Sequence, residues 1–237
     1  MLVVSETTRQ TERLPGLTVL RALAEQPCAV VYDLTGGQID STTLPSAFDA
    51  IDAYLRHCDG TPLLVCAETL TARRALRAHP LNTRVTRFPT LDSALVSAHQ
   101  QPTADKHALE LRSTRWAPSR ARQFVAPLLD GWRLPQPLLD DAALVISELV
   151  TNVVLHAPTL TSMTLTVSRT IPHAAPYHPT LRLAVRDADD TLPTLRTPSP
   201  DNLDGRGLII VDRLVRAWGA IPLDIGKIVW TVFDGTE

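Results

Sequence analysis

The sequence predicts two units of different architecture: a small α/β unit over residues 1–100 and an α+β sandwich over residues 107–237, joined by a linker at 101–106. Three observations carry this. Residues 29–34 (AVVYDL) and 62–67 (PLLVCA) are continuous apolar runs bounded by turn residues, the pattern of parallel strands buried on both faces. Residues 163–168, 181–186 and 228–232 instead alternate, the pattern of strands with one buried face. Between the two regimes QQPTADK, residues 100–106, has no apolar periodicity and carries a proline. A chain of 237 residues has room for two cores of this size.

In the first unit, apolar residues at helical spacing predict helices at 17–25, around Phe48, Ile51 and Leu55, at 70–78 and at 91–98, with Thr69 and Thr90 as N-caps of the last two. In the second, a strand at 107–113 places Leu109 and Leu111 on one face. A helix at 118–132 turns Phe124, Leu128 and Leu129 inward and is expected to kink at Pro127. Residues 138–156 form a long helix, apolar around most of its circumference, and 172–179 (PHAAPYHP) read as a hairpin loop. A further helix is expected after residues 205–208 (GRGL), with Val211, Leu214, Val215 and Trp218 inward and Gly219 closing it at the C′ position. In the last strand Ile228, Trp230 and Val232 are assigned to the face that meets the helices. One-sided strands with helices on one face of a mixed or antiparallel sheet make the sandwich.

Composition excludes several classes. With 44% hydrophobic and 20% charged residues the chain is globular, and no run approaches the roughly 18 apolar residues of a membrane span. MLVVSETTRQTER lacks an apolar stretch followed by a cleavage site, so a cytoplasmic location is expected. A net charge of −2 gives no footprint for direct nucleic-acid binding, and Arg112, Arg115, Arg120 and Arg122 read as a solvated face. Cys28, Cys58 and Cys66 are odd in number and form no CxxC pair, which fits reduced thiols.

The residues that carry chemistry lie in the second unit. Asp141, Glu148 and Asn152 recur at spacings of seven and four, one stripe of the long helix, with Thr151 and His156 at its edges. A carboxylate and a carboxamide one turn apart in an apolar helix need partners, either internal hydrogen bonds or a cation with oxygen ligands, for which Mg²⁺ is suited. Asp187 ends a strand, where it serves either a turn or a ligand lying over the sheet. Gly205 and Gly207, around Arg206 and before Leu208, present backbone N–H groups at a helix start, a ready place for a phosphate.

Taken together, ELVTNVVLHA (148–157), the strand ending in Asp187 and GRGL opening a helix resemble, in order and spacing, the ATP-binding domain of the GHKL superfamily (gyrase, histidine kinase and MutL-like ATPases, the Bergerat fold). Within it, residues 106–233 look like the bacterial anti-sigma regulatory Ser/Thr kinases. The resemblance implies that Glu148 is general base or positioning residue, that Asn152 is a Mg²⁺ ligand, and that Asp187 and Thr231 hold adenine. It further implies that Gly205, Arg206 and Gly207 hold the ATP phosphates, that Leu208 belongs to the nucleotide site and that residues 191–204 are the lid over the nucleotide. VVYDLTGGQIDSTTLP (30–45) in turn resembles the signature of STAS domains, the anti-anti-sigma fold, with Thr42 or the adjacent Ser41 at the phosphoacceptor position. The same Asp40, Ser41 and Thr42 also suit N-terminal capping of the following helix. The chain then reads as a signalling and transcription regulator using ATP and Mg²⁺. It either phosphorylates Ser or Thr of a STAS-type partner or acts by binding alone. Its partners are a STAS-type anti-sigma antagonist or a sigma factor, and a homodimer is compatible with the reading. A sensor histidine kinase fits less well, since no dimerisation helix with a phosphoacceptor His precedes the ATPase-like segment. One departure stands out: where the family pattern continues Asp-x-Gly-x-Gly, this chain has Asp187, Ala188, Asp189, Asp190 and Thr191. Two additional carboxylates beside a polyanion predict weakened nucleotide affinity, at a few kcal/mol for like charges a few ångströms apart.

Overall fold

The computed structural model describes residues 1–5, 16–35, 43–58, 60–101, 105–156, 162–170, 180–195 and 206–234. It divides into two compact units, Met1–Ala104 and Asp105–Glu237. The boundary falls two residues before the expected end of the linker, because Asp105 and Lys106 already pair in a strand.

The first unit is a parallel sheet with the strand order β1-β2-β3-β4, built from β1 (Leu2–Ser5), β2 (Val30–Asp33), β3 (Leu63–Cys66) and β4 (Thr86–Phe88). Between and after them run α1 (Leu17–Ala24), α2 (Leu44–Leu55), α3 (Leu70–Ala78) and α4 (Leu91–His99). The two central strands are buried along their whole length, as their continuous apolar runs require. Outer strands β1 and β4 escaped the sequence reading. The first exposes Leu2 and Val3, and the second is three residues long with no buried member. One face of the sheet is covered by α4, whose Ala94 and Ala98 pack with Val31, Leu64 and Cys66.

The caps at Thr69 and Thr90 form as expected, the latter as a capping box with Ser93. Thr43, the residue at the N-cap of α2, makes no capping bond, so capping does not come from the hydroxyl next to the helix. Asp40, Ser41 and Thr42 lie outside the described residues. Asp52 of α2 is buried and accepts hydrogen bonds from Arg56 at 2.6 Å and Arg84 at 3.1 Å. Burial by itself would raise its carboxyl, but the hydrogen bonds and charges of Arg56 and Arg84 outweigh that and hold it below its ordinary value of 3.8.

The second unit contains β5 (Asp105–Arg112), α5 (Ala117–Gly131), α6 (Gln136–His156), β6 (Ser162–Thr170), β7 (Thr180–Asp187), α7 (Arg206–Leu214), β8 (Ala217–Pro222) and β9 (Lys227–Asp234). Its sheet has the order β5-β6-β7-β9-β8, and every pairing in it is antiparallel rather than mixed. Leu111, Met163, Leu165, Val167, Leu181, Leu183, Val185, Val229 and Phe233 form one core with α5, α6 and α7. Pro127 sits on the exposed side of α5, which continues through it to Gly131. The proline-rich stretch 172–179 lies outside the described residues, and the strands on either side of it pair as a hairpin.

Two sequence expectations are corrected here. The parity of β9 is reversed: Val229 and Phe233 meet the helices, opposite Val185 and Leu181, and Ile228, Trp230 and Val232 take the other face. Both faces of this strand are apolar and buried, so alternation could not show which one turns to the helices. The helix after GRGL ends at Leu214, and Trp218 and Gly219 belong to β8. There Trp218 and Ala220 pack on the core with period two, a pattern that the small residues around them conceal. Gly219 does not close a helix. It lies beside Trp230, whose ring stands 2.8 Å from where a Cβ at this position would be.

Between β8 and β9 the chain reverses at Gly226, with φ 78°, and the Leu223 N–H donates to the Gly226 carbonyl at 2.8 Å. A Cβ here would stand 1.9 Å from the carbonyl oxygen of Asp187, which belongs to backbone and cannot swing aside. Gly226→Ala is therefore expected to destabilise this unit by at least about 2 kcal/mol. All four tryptophans (116, 132, 218 and 230) lie after residue 105, so urea unfolding followed by their fluorescence reads this unit alone.

Candidate functional site

The site is built where α6, the end of β7 and the start of α7 converge. Helix α6 buries Leu138, Ala142, Val145, Ile146, Leu149, Val150 and Val153, each contributing roughly 1.5–3 kcal/mol for a large side chain, and this fixes its rotation. Glu148 and Asn152 are then left half-buried on the side facing α7. At that place α7 begins with Gly207, where a Cβ would lie 2.6 Å from Glu148 Oε2 and 3.5 Å from Asn152 Oδ1. A side chain at 207 would have to displace the end of Glu148, so the glycine leaves that carboxylate room against the start of α7.

A cavity of about 310 Å³ opens beside them, at the lower end of the roughly 300–1,000 Å³ typical of small-molecule sites. Asn152 and His156 of α6, Asp187 of β7, Leu208 of α7 and Lys227 of β9 line it. Thr191, Leu192, Pro193 and Thr194 from the segment after β7 line it as well. Sequence-derived residues Asn152, Asp187 and Leu208 are thus brought to one cavity, with Glu148 and Gly207 adjoining. Arg206 is the first residue of α7, while Gly205 and residues 196–204 of the expected lid fall outside the described residues, as do Ser41 and Thr42.

Thr231 is not brought to the cavity. It is fully buried opposite Leu183, to whose carbonyl its hydroxyl donates at 3.4 Å. The residue opposite Asp187 is Lys227, four positions earlier on β9 and about 13 Å away along the strand at about 3.3 Å per residue.

Lys227 organises the end of β7. Its ammonium donates to Asp187 Oδ1 at 2.9 Å, to the Asp189 carbonyl at 2.8 Å and to Asp189 Oδ2 at 2.9 Å. The Asp189 N–H also donates to Asp187 Oδ1, at 2.8 Å, and Asp190 turns away to accept the Gly226 N–H at 2.7 Å. Asp187 Oδ2 is left buried with no hydrogen-bond partner. The like-charge cost expected from Asp189 and Asp190 is therefore offset within the protein, one by Lys227 and the other by a backbone donor. Lys227 was missed in the sequence. A signal was available, because this chain carries only two lysines, 106 and 227, against many arginines, and a compact three-donor ammonium suits a buried site that a guanidinium does not.

Among the described residues, no group of three or more His, Cys, Asp or Glu side chains is placed to hold a metal, and no helix is long and apolar enough to cross a membrane.

No protein-family model matches the chain, and no curated protein does. Among solved structures it is similar to the RsbU and RsbW domains of Rv1364c from Mycobacterium tuberculosis, with 16% identity and a TM-score of 0.41. That match covers 68% of this chain and 43% of the other, so the chain spans less than half the length of that structure.

The hydrogen bond from Lys227 holds the Asp189 carboxyl below its ordinary value of 3.8, against the opposing effect of burial. A carboxyl lowered on folding stabilises the native state fully above its unfolded value, and that stability is lost as pH falls through the folded value. Asp189→Asn is thus expected to flatten the acid limb of the tryptophan-monitored melting temperature below pH 3.8, with no change in slope near neutrality.

Proposed function

We propose that the second unit is an ATP-binding regulatory domain of the anti-sigma Ser/Thr kinase type, acting on a STAS-type antagonist or a sigma factor. One observation carries the reading: Asp187 Oδ2 is a buried acceptor without a partner, on a residue lining the cavity. A buried polar atom left unmatched costs about 1–3 kcal/mol, and the exocyclic amine of adenine is a donor that would satisfy it. The donor set also suits the rest of the ligand. Asn152 offers a hard oxygen of the kind Mg²⁺ takes alongside phosphate oxygens, and the start of α7 offers backbone N–H groups to the phosphates. Bound Mg-ATP would supply the γ-phosphoryl and the charge neutralisation its transfer needs. Glu148, one turn before Asn152 and beside the start of α7, would orient or deprotonate an incoming hydroxyl, and Leu192 and Pro193 would add apolar cover to the cavity. The first unit, in the same reading, is the STAS-like module, with Ser41 or Thr42 as phosphoacceptor.

A second reading, binding without turnover, is favoured by a different observation. Oδ1 of Asp187 is already occupied by Lys227, the side chain is wholly inaccessible, and Thr231 contributes nothing to the cavity. In that case the domain titrates its partner with nucleotide held structurally or not at all.

Thermal melting tests nucleotide binding, and phosphoryl transfer separates the two readings. ATP with Mg²⁺ is expected to raise the tryptophan-monitored melting temperature and GTP to leave it unchanged, because a ligand at 100 times its Kd adds about 2.7 kcal/mol. Asp187→Asn should abolish the shift, and no shift in the wild type at millimolar ATP would refute nucleotide binding.

Glu148→Gln should keep the ATP shift and lose phosphoryl transfer to a STAS-type partner, by a factor of about 10²–10⁴ if it is the general base. Equal transfer by the variant and the wild type would leave Glu148 without a catalytic role.

A further inference from the structure

We infer that Lys227 is a positioning residue for the ligand: it fixes the Asp187 carboxylate so that Oδ2 alone is left unpartnered, on a residue lining the cavity, for a hydrogen-bond-donating group, with adenine the group on the reading above. An ammonium has three N–H donors, and here all three are used, on Asp187 Oδ1 and on two oxygens of Asp189. Lys227 therefore has nothing left to donate to a ligand, and its influence on binding passes through Asp187. The carboxylate is held by two donors that both act on Oδ1, one from β9 and one from the Asp189 N–H, which fixes its rotation and assigns the other oxygen to the ligand.

The burial makes Lys227 necessary rather than incidental. The Asp187 side chain has 0% exposure and that of Lys227 9%, so no water compensates the carboxylate if the ammonium is removed. The charged or titratable groups lining the cavity with Asp187 are Asp189, Lys227 and His156, and Asp190 is turned to the Gly226 N–H. Lys227 is the one cation among those that hydrogen-bonds Asp187. With an apolar residue at 227, Oδ1 loses the Lys227 donor and keeps the Asp189 N–H, so the rotation of the carboxylate is no longer fixed and Oδ2 is no longer reserved for the ligand.

Calorimetry of the full chain with Mg-ADP and Mg-GDP tests this against a merely structural role. The wild type is expected to prefer ADP, whose exocyclic amine donates where guanine carries a carbonyl acceptor. Lys227→Met should narrow that preference at least about tenfold, whereas a merely structural role would lower the melting temperature and leave the preference unchanged. If Lys227→Met does not fold, Lys227→Met with Asp189→Asn removes one of the two uncompensated charges and is measured in its place. Wild-type preference for ADP together with an equal preference in the Lys227 variant overturns the positioning role and leaves the nucleotide reading standing. No ADP binding by the wild type overturns both.

Discussion

A single buried ammonium fixes the place where β7 ends. Because Lys227 is the first residue of β9 and lies directly across from Asp187, its three hydrogen bonds join the sheet ladder to the segment leaving the sheet. That segment cannot drift from β9, so Thr191 to Thr194 are delivered over the cavity. Gly226 completes the arrangement by allowing the turn between β8 and β9 to rest on the Asp187 carbonyl, with Asp190 reaching back to the turn's backbone. Removing one partner from a buried pair of this kind costs on the order of 3–5 kcal/mol, far more than a surface ion pair is worth.

The two units satisfy their buried acids in different ways. Asp52 in the first unit is matched by two arginines from separate elements, both exposed enough to keep some hydration, and this ties α2 to the segment ahead of β4. Such a pair is complete in itself. Asp187 is matched on one oxygen only. What sets this incomplete match apart is its place, on a residue that lines the cavity, where a donor entering the cavity would complete it.

Much of this was legible in the sequence, for reasons that can be named. The runs around Val31 and Leu64 give buried parallel strands because both faces need apolar cover, and the spacing of Glu148 and Asn152 places them on one side of α6 whatever that helix packs against. Asp187 and Gly207 follow from local chemistry at a strand end and a helix start. What was not legible depends on register. Whether Val229 or Trp230 meets the helices, and whether Lys227 or Thr231 lies across from Asp187, is decided by which residues pair between β7 and β9. No local pattern in a strand that is apolar on both faces encodes that. The helix-like spacing of Val215 and Trp218 misled because it spans the junction where α7 ends at Leu214 and β8 begins at Ala217, and Ala217 and Gly219 are too small to show the alternation of the strand.

Strand order also sets the sequence in which the parts can assemble. In the first unit each strand pairs with the next one made, so its sheet grows by addition at one edge. In the second, β9 is inserted between β7 and β8 and supplies the central hydrogen bonds of both. During synthesis the nascent chain exposes β7 with one open edge and α7 with no completed sheet to rest on, until residues 227–234 emerge. The cavity therefore lacks Lys227 and Val229 until that strand docks, so its lining is completed by the last strand to be made.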